Sequence, residues 1–540
     1  MTQPRLACYA YALSAAVVIG MAVHAGIFRP FTQVYDADLH YLYRALRFNS
    51  GLEQKYFDHT GYLYALILSW WLEAVRLFGL IPAATLEEVR NSAFPGHAMA
   101  VAIHAGRVLS ILLALIYVAA VGFACARLSG SRLVGAGAAL LLAPTVGIAY
   151  HAITLRPELV SALTLAMAFI AVLLSNAKGE RQRLLLLGLS AGFAYLSVLA
   201  KMQSVIPLLF LPLVGLACRP AAADSVAQVR PIGPDTVCLF LLAIVVFLPF
   251  ATSHYFGVTE LGRRSVPIYS WGLALYVLAG LLAYRAAYRT TAGSTVNAVS
   301  AVMLGLGLTY FITFFNHSDA LAVANVTFLD NLKLYGGSGS GKLMTDLSFS
   351  GTAGYFELAS GYAHKLHAAL DQLVDFKASG QVTETVLVLF AVASGVFAYR
   401  AGQGQKAIPI AILVLAYFGT RTAFLFRSNA PFYEPYFIFF PLFALALAWP
   451  VLSSTTVRRP PRSVAIAAAL LMAVVAGLQL AQSARQARTR TPHVSAGHFC
   501  EFQRTWAPIL RDDKYVGDIC WPIYARAIDP RALPSLGIMP

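Results

Sequence analysis

The sequence predicts an all-α polytopic membrane protein, and three observations support this fold class. Of the 540 residues, 58% are hydrophobic and only 12% are charged. The mean hydropathy of the chain is +0.66. The apolar residues fall in repeated runs of roughly 17 to 25, which is the length that a transmembrane helix needs. We therefore expect one large helical membrane domain with loops.

The apolar runs predict about thirteen membrane spans. We interpret the first run as a retained helix, because no small-residue cleavage site follows it and many similar runs do. In chain order the runs cover residues 6–28, 101–126, 133–149, 153–174, 184–200, 203–218, 235–253, 266–284, 296–315, 382–399, 407–425, 432–451 and 463–482.

The charges of the short connections predict the orientation of the spans. If the N-terminus lies in the cytoplasm, every inner turn is basic, as the positive-inside rule requires. This bias explains the net charge of +15 better than nucleic-acid binding does, because no basic run is interleaved with stacking aromatic residues. The inner turns are 127–132, 178–183, 219–230, 285–289, 400–406 and 458–462.

The same orientation places four longer segments outside, namely 29–100, 254–265, 316–381 and 485–540. Residues 1–484 then form a transmembrane catalytic module, and residues 485–540 form a small extracytoplasmic tail. Because the outer compartment is oxidising, we expect a disulfide between the tail cysteines. These are Cys500 and Cys520.

Residues 60–80 are aromatic and apolar, but they contain Glu73 and Arg76 near their end. Counting this segment as a span would invert every later loop. We therefore predict a helix that lies in the outer membrane interface. The alternative is a shallow re-entrant pair formed with part of 81–100.

Ionisable side chains gather at the predicted outer ends of the spans, where such groups often have functional roles. Each has a simpler interpretation. Asp36 and Asp38 could be solvated loop acids, Arg156 and Glu158 could begin a helix, and Lys201 could extend to the interface. Two further arginines could be ordinary headgroup contacts, Arg263 and Arg264. The sequence contains no HxxxH or HExxH pair, so a dedicated zinc site is not expected.

In these motifs the sequence resembles the GT-C glycosyltransferases that use polyprenyl-phosphate sugars, especially protein mannosyltransferases and the lipid A aminoarabinose transferase. The resemblance covers roughly residues 1–260 and, more loosely, 382–450. Two positions depart from the family pattern, Leu39 and Thr60, where many members have an acid and a proline. The matching segments are Asp36-Ala37-Asp38-Leu39-His40-Tyr41, Tyr56 to Tyr62, Gly106 to Ser110, Leu155 to Glu158, Ala200 to Gln203 and Arg427 to Pro441.

The resemblance implies transfer of a sugar from polyprenyl phosphate to an acceptor hydroxyl, with inversion, on the outer face of a bacterial plasma membrane. Asp38 is favoured as the general base, with Asp36 orienting it or sharing a cation. The expected phosphate-binding residues are Lys201, Arg263, Arg264 and Arg427. The expected substrate-binding residues are His40, Tyr41, Asp58, His59, Arg156, Glu158, Tyr433 and Glu434.

The expected partners are the lipid-linked donor, membrane lipids and a lipid, glycan or protein acceptor, without nucleic acid. A divalent cation, Mg²⁺ or Mn²⁺, could be held by the oxygen ligands of Asp36, Asp38 and Glu158.

Two other functions remain open. A transporter or flippase would place charged residues near the bilayer midplane, whereas the predicted span interiors are nearly free of them. An O-antigen ligase-like or polymerase enzyme that uses a diphosphate-linked glycan would carry its main catalytic loop late in the chain. The outer loop 316–381 keeps this second alternative in consideration.

Overall fold

The computed structural model describes residues 3–28, 38–52, 61–93, 95–175, 180–217, 382–425, 431–454 and 474–485, with short pieces at 301–302, 304–309, 363, 366–371 and 373. Within these ranges the regular structure is helical, and no strand occurs. The helices are α1 (Gln3–Ala25), α2 (Asp38–Asn49), α3 (Tyr62–Leu77), α4 (Leu86–Asn91), α5 (Pro95–Ser129), α6 (Arg132–Leu142), α7 (Val146–His151), α8 (Glu158–Ser175), α9 (Glu180–Ala200), α10 (Val205–Leu208), α11 (Leu211–Ala217), α12 (Val382–Arg400), α13 (Gly404–Leu425) and α14 (Phe439–Ser454).

In the described part of the chain, six helices are long and apolar enough to cross a membrane. The predicted class, a helical membrane protein, agrees with this architecture. The spans are Pro4–Ala25, His97–Ser129, Glu158–Ser175, Arg181–Ala200, Val382–Arg400 and Gly404–Phe424. The other predicted spans correspond to shorter helices or lie wholly or partly outside the described residues.

Three predicted spans are interrupted near prolines. The run 133–149 divides into α6 and α7 at Pro144. The run 203–218 begins with a 3₁₀ turn, Met202–Ser204, and continues as two short helices, α10, which contains Pro207, and α11. The run 432–451 also begins in a 3₁₀ turn, Pro431–Tyr436. Proline has no backbone N–H and clashes with the preceding helical turn, so hydropathy alone overestimates the length of these helices.

Helices α8 and α9 form an antiparallel hairpin held together by serine hydroxyls. Ser161 and Ser197 each donate a hydrogen bond of 2.9 Å to the other's backbone carbonyl. Further along, Ser190 donates to the carbonyl of Ala168 at 2.9 Å. Small residues let helices in a membrane protein approach closely. The hairpin brings the start of α8 beside the end of α9.

Helices α5 and α6 also approach closely, at a pair of glycines. A Cβ atom added to Gly135 would lie 2.4 Å from the carbonyl oxygen of Gly122, so no side chain fits there. At the other side of α5, the hydroxyl of Tyr117 donates to the carbonyl of Pro435 at 2.7 Å. This bond attaches the Pro431–Tyr436 turn to the bundle. Phe169 of α8 packs edge-on against Phe440 of α14, with ring centroids 4.9 Å apart.

The segment predicted as an interfacial helix is helical, as α3, and it packs against α2 and α5. The indole Nε1 of Trp71 donates to the carbonyl of Ala105 on α5 at 2.8 Å. The short helix α4 follows, with a capping box formed by Thr85 and Glu88. The position of α3 relative to a bilayer stays a prediction.

Candidate functional site

The site is built around Asp38, which begins α2 and is fully buried. Its Oδ2 atom accepts hydrogen bonds from Arg107, at 2.7 Å from Nη2 and 3.0 Å from Nε. Its Oδ1 atom accepts the backbone N–H of Leu155 at 2.7 Å. Arg107 also donates from Nη1 to the carbonyl of Ile27 at 2.7 Å. One carboxylate thus connects the end of α1, the start of α2, the middle of α5 and the turn before α8.

The turn held by Asp38 leads directly to a second group of charges. Glu158 begins α8 and is buried, and its Oε1 lies 3.3 Å from Nζ of Lys201. The same oxygen lies 3.7 Å from Nη1 of Arg156. The Arg156 guanidinium also sits over the ring of Tyr150, at 5.5 Å from its centroid. Lys201 follows the last residue of α9, so the α8–α9 hairpin creates this contact.

Hydroxyl groups connect the surroundings of Asp38 with the turn that leads to Glu158. Ser110 donates to the carbonyl of Thr154 at 2.9 Å, and its Oγ lies 3.4 Å from the hydroxyl oxygen of Tyr64. Burial raises the pKa of Tyr64; the hydrogen bond with Ser110 opposes this rise, and the carboxylates of Asp38 and Glu158 add to it. Tyr64 therefore stays protonated and can donate a hydrogen bond.

We call Asp38, Arg107, Arg156, Glu158 and Lys201 the charged cluster. Its two carboxylates, those of Asp38 and Glu158, face three cationic side chains. Buried charges are stable only when they are paired. Three cationic side chains gathered in one buried region make it suitable for an anionic group such as a phosphate.

His40 and Tyr41, two predicted substrate-binding residues, are buried on α2 beside Asp38. Tyr41 packs edge-on against Tyr64, with ring centroids 5.5 Å apart. Gly61 lies directly against the Tyr41 ring, where a Cβ atom would come within 2.7 Å. Its φ of +156° is also one that other residues rarely adopt. Tyr41 thus helps to hold α2 against α3, and the ring of His40 packs edge-on against that of Tyr41.

Two other predicted substrate-binding residues, Tyr433 and Glu434, lie in the Pro431–Tyr436 turn. Glu434 is buried, and its Oε2 accepts the N–H of Gly147 at 2.9 Å. Burial raises the pKa of Glu434 to about 8, and the nearby Glu384 carboxylate adds to the rise. Tyr433 stacks on Phe424 at 4.6 Å between ring centroids. The contacts of Glu434 thus place it near Glu384 and α7.

Glu384 belongs to a buried group that the sequence analysis missed. Its Oε1 accepts hydrogen bonds from Nε of Arg421, at 2.7 Å, and from the hydroxyl of Tyr417. Arg421 also donates to the carbonyl of Ala369 at 2.6 Å. We call Glu384, Tyr417, Arg421 and Glu434 the second cluster.

The assumption that the spans are nearly free of charge requires a correction. Arg107, Glu384 and Arg421 lie inside helices long and apolar enough to cross a membrane, and all three are buried in ion pairs. The sequence signal was present, because each is an isolated charge within an apolar run. An isolated charge in such a run indicates a buried partner on another helix.

Several predicted site residues lie outside the described ranges, and their roles stay predictions. They are Asp36, Asp58, His59, Arg263, Arg264 and Arg427. The predicted disulfide between Cys500 and Cys520 also lies outside them. Of the two free cysteines in the described ranges, Cys125 is buried and Cys8 is exposed.

The described residues do not form a metal site. Where the structure is described, no three His, Cys, Asp or Glu side chains are grouped so that they could hold a metal ion. Two of the three predicted ligands, Asp38 and Glu158, are each paired with a cationic side chain instead. The third predicted ligand, Asp36, lies outside the described residues, so the predicted cation site stays a prediction.

No protein-family model and no curated protein matches this chain. The function is therefore argued from the chemistry of the charged cluster, from the helical membrane architecture and from the motif resemblance described above.

Proposed function

We propose that the chain is an integral membrane glycosyltransferase that moves a sugar from a polyprenyl-phosphate donor to an acceptor hydroxyl on the extracytoplasmic face. The observation that carries this proposal is the charged cluster, in which three cationic side chains and two carboxylates are gathered among apolar helices. It would bind a phosphate at the place where a lipid chain can lie between helices. The complete bundle in this proposal has about thirteen spans.

The proposed reaction is a single displacement with inversion. The acceptor oxygen forms a bond with the anomeric carbon, and the bond from that carbon to the phosphate oxygen breaks. The electron pair leaves with the polyprenyl phosphate, and the acceptor proton passes to a carboxylate. Negative charge grows on the phosphate during this step, so fixed cations nearby lower the barrier.

Lys201 is the main candidate for phosphate binding among the described residues. Its ammonium lies 3.3 Å from Glu158, which fixes its position, and Arg156 lies beside the same carboxylate. The side chain of Arg156 is 17% exposed, more than that of Lys201 at 7%, so Arg156 lies closer to the surface of the described part. In this proposal the predicted arginines 263, 264 and 427 complete the phosphate site.

The contacts of Asp38 support a positioning role for this residue. Both carboxylate oxygens accept hydrogen bonds from the protein itself, from Arg107 and from Leu155. Both oxygens are therefore already occupied by donors of the protein, which favours a structural role for this carboxylate. We therefore propose that Asp36 takes the acceptor proton and that Asp38 holds the turn carrying Arg156 and Glu158.

A comparison of cells with and without this gene tests the proposed function. Mass spectrometry of surface glycolipids, glycans and glycoproteins should show the loss of one sugar in the cells without the gene. The unused polyprenyl-phosphate donor should accumulate in the same cells. If neither the surface sugars nor the donor pool changes, the proposed function is wrong.

A transporter is the second candidate, and the buried Glu384–Arg421 pair favours it because both residues lie inside candidate spans. However, Glu384 is the third residue of α12, and Arg421 lies in the last turns of α13. The pair therefore lies at one end of this hairpin rather than midway along it. Movement of labelled polyprenyl-phosphate lipids across proteoliposomes, without chemical change, would support the transporter.

A further inference from the structure

Gln203 lies in the Met202–Ser204 turn and is almost completely buried, with 2% of its surface exposed. Neither its side-chain oxygen nor its side-chain nitrogen has a hydrogen-bond partner in the described part of the chain. A buried amide without partners costs free energy, and folded proteins rarely keep one. The unpartnered carboxamide is consistent with a residue that binds a ligand.

The backbone of the turn is fixed next to the charged cluster. Lys201 donates its N–H to the carbonyl of Ser197 at 2.9 Å, and Ser204 donates its N–H and its hydroxyl to the carbonyl of Lys201. The turn packs against α8, which Glu158 begins. Irregular backbone between apolar helices is tolerated where it is buried in protein or lines a cavity.

A second unpartnered polar atom belongs to Glu158, at the start of the helix against which this turn packs. Glu158 uses Oε1 to contact Lys201, at 3.3 Å, whereas its Oε2 has no hydrogen-bond partner among the residues described. Lys201 links the two groups, because its ammonium lies beside Glu158 and Gln203 follows it by two residues.

The chemistry of these atoms identifies a class of ligand. The Gln203 amide supplies two N–H donors and one acceptor, and Glu158 Oε2 supplies an acceptor. A phosphate only accepts hydrogen bonds when it is fully ionised, so it would leave both acceptor atoms unsatisfied. A group with several hydroxyls can donate to both acceptors and accept from the amide. Such a group is a sugar.

We propose that Gln203 binds hydroxyl groups of the donor sugar, together with Oε2 of Glu158, next to the phosphate held by Lys201. This inference rests on the proposed function and adds to it a residue that determines sugar specificity. A site built to bond hydroxyl groups discriminates strongly against ligands that lack them.

The test measures lipid binding by the full-length protein in detergent, using native mass spectrometry. The probes are polyprenyl phosphate without a sugar and polyprenyl phosphate carrying mannose, glucose or arabinose. The wild-type chain should bind at least one sugar-bearing lipid about tenfold or more tightly than the sugar-free lipid. Gln203→Leu should abolish this preference while leaving the affinity for the sugar-free lipid unchanged.

Two further variants and one stability measurement sharpen the test. Lys201→Ala should weaken the binding of every probe, whereas Gln403→Leu, the same substitution in the turn between α12 and α13, should change none. The melting temperature of lipid-free Gln203→Leu should equal or exceed that of the wild type, since an unpartnered buried amide has been removed. Affinity ratios between two lipids on one variant do not depend on its stability.

The outcomes separate this inference from the proposed function. If Gln203→Leu keeps the preference for the sugar, or weakens all lipids equally, Gln203 is not part of a sugar site. If the wild type binds sugar-free and sugar-bearing lipids equally well, the sugar site is also excluded, although the phosphate site survives. If the wild type binds none of the probes, the proposed function itself fails.

Discussion

The carboxylate of Asp38 and the guanidinium of Arg107 form a completely buried ion pair, 2.7 Å apart and 69 residues apart in sequence. The backbone N–H of Leu155 completes the pair by bonding the other carboxylate oxygen at 2.7 Å. Three separate parts of the chain therefore depend on one carboxylate. The charged cluster can exist only if this junction is formed.

Breaking this ion pair should destabilise the protein strongly. Asp38→Asn removes the carboxylate from a buried ion pair with Arg107, and breaking such a pair typically costs ~3–5 kcal/mol. The double variant Asp38→Leu/Arg107→Leu removes both charges and should be clearly more stable than Asp38→Asn. Thermal unfolding of the full chain in detergent measures both. Equal melting temperatures for wild type and Asp38→Asn would show that the pair contributes nothing.

Substitutions of Asp36 and Asp38 should differ in their effects on transfer and on stability. Asp36→Asn should reduce transfer by roughly 10²–10⁴-fold, the usual contribution of a general base, without lowering the melting temperature. Asp38→Asn should also abolish transfer, but together with a loss of stability. The assay follows product formation in membranes supplied with donor. Near-normal transfer by Asp36→Asn would remove it as the base.

The positive charge of Lys201 should be needed for efficient use of the donor, because we propose that it binds the donor phosphate. Lys201→Ala should lower kcat/KM for the donor by about 10²-fold, because one fixed cation is lost where negative charge develops. Lys201→Arg keeps the charge and should retain part of the activity. The matched control is Lys406→Ala, at an exposed lysine near the start of α13. If Lys201→Ala and Lys406→Ala behave alike, Lys201 does not bind the phosphate.

Glu88 should make stability depend on pH in the acidic range. Partial burial opposes its ionisation, but hydrogen bonds from the N–H groups of Ala84 and Thr85, with the charge of Arg76, outweigh burial and lower the pKa of Glu88. Because the pKa of Glu88 in the folded state is below its ordinary value of 4.5, the ionised side chain stabilises the folded protein above pH 4.5. This stabilisation is lost as the pH falls through the folded-state pKa.

Melting temperatures of full-length variants at a series of pH values check this prediction. Glu88→Gln should lower the melting temperature near neutral pH, and its difference from the wild type should shrink as the pH falls below about 4. Glu87→Gln, at the exposed neighbouring carboxylate in the same helical turn, should follow the wild-type curve. A constant difference for Glu88→Gln at all pH values would contradict the account.

The long helices could be predicted from the sequence, because an apolar run the length of a bilayer favours a helix whatever its neighbours are. Helices α1, α5 and α13 coincide with such runs. The breaks at Pro144 and after α10, the short helix that contains Pro207, were not predicted, since hydropathy averaged over a window hides a single residue that disfavours a continuous helix.

The candidate site was partly predictable for a similar reason. Asp38, Glu158 and Lys201 stand at the ends of apolar runs, where their charges are visible in the sequence. Arg107 and Arg421 lie within such runs, and their partners are 69 and 37 residues away. Only the packing of the helices shows that these charges are paired. The unpartnered amide of Gln203 is likewise a property of the folded turn.

Release of polyprenyl phosphate from a sugar-bearing polyprenyl-phosphate lipid tests the central claim most directly. Membranes containing the wild-type chain, supplied with radiolabelled donors and with envelope extract as the acceptor source, should release the lipid phosphate and transfer the sugar. Membranes with Lys201→Ala should do so far more slowly, and membranes with Lys406→Ala should match the wild type. If the wild-type chain leaves every donor intact, or moves it across the membrane unchanged, this protein is not the glycosyltransferase proposed here.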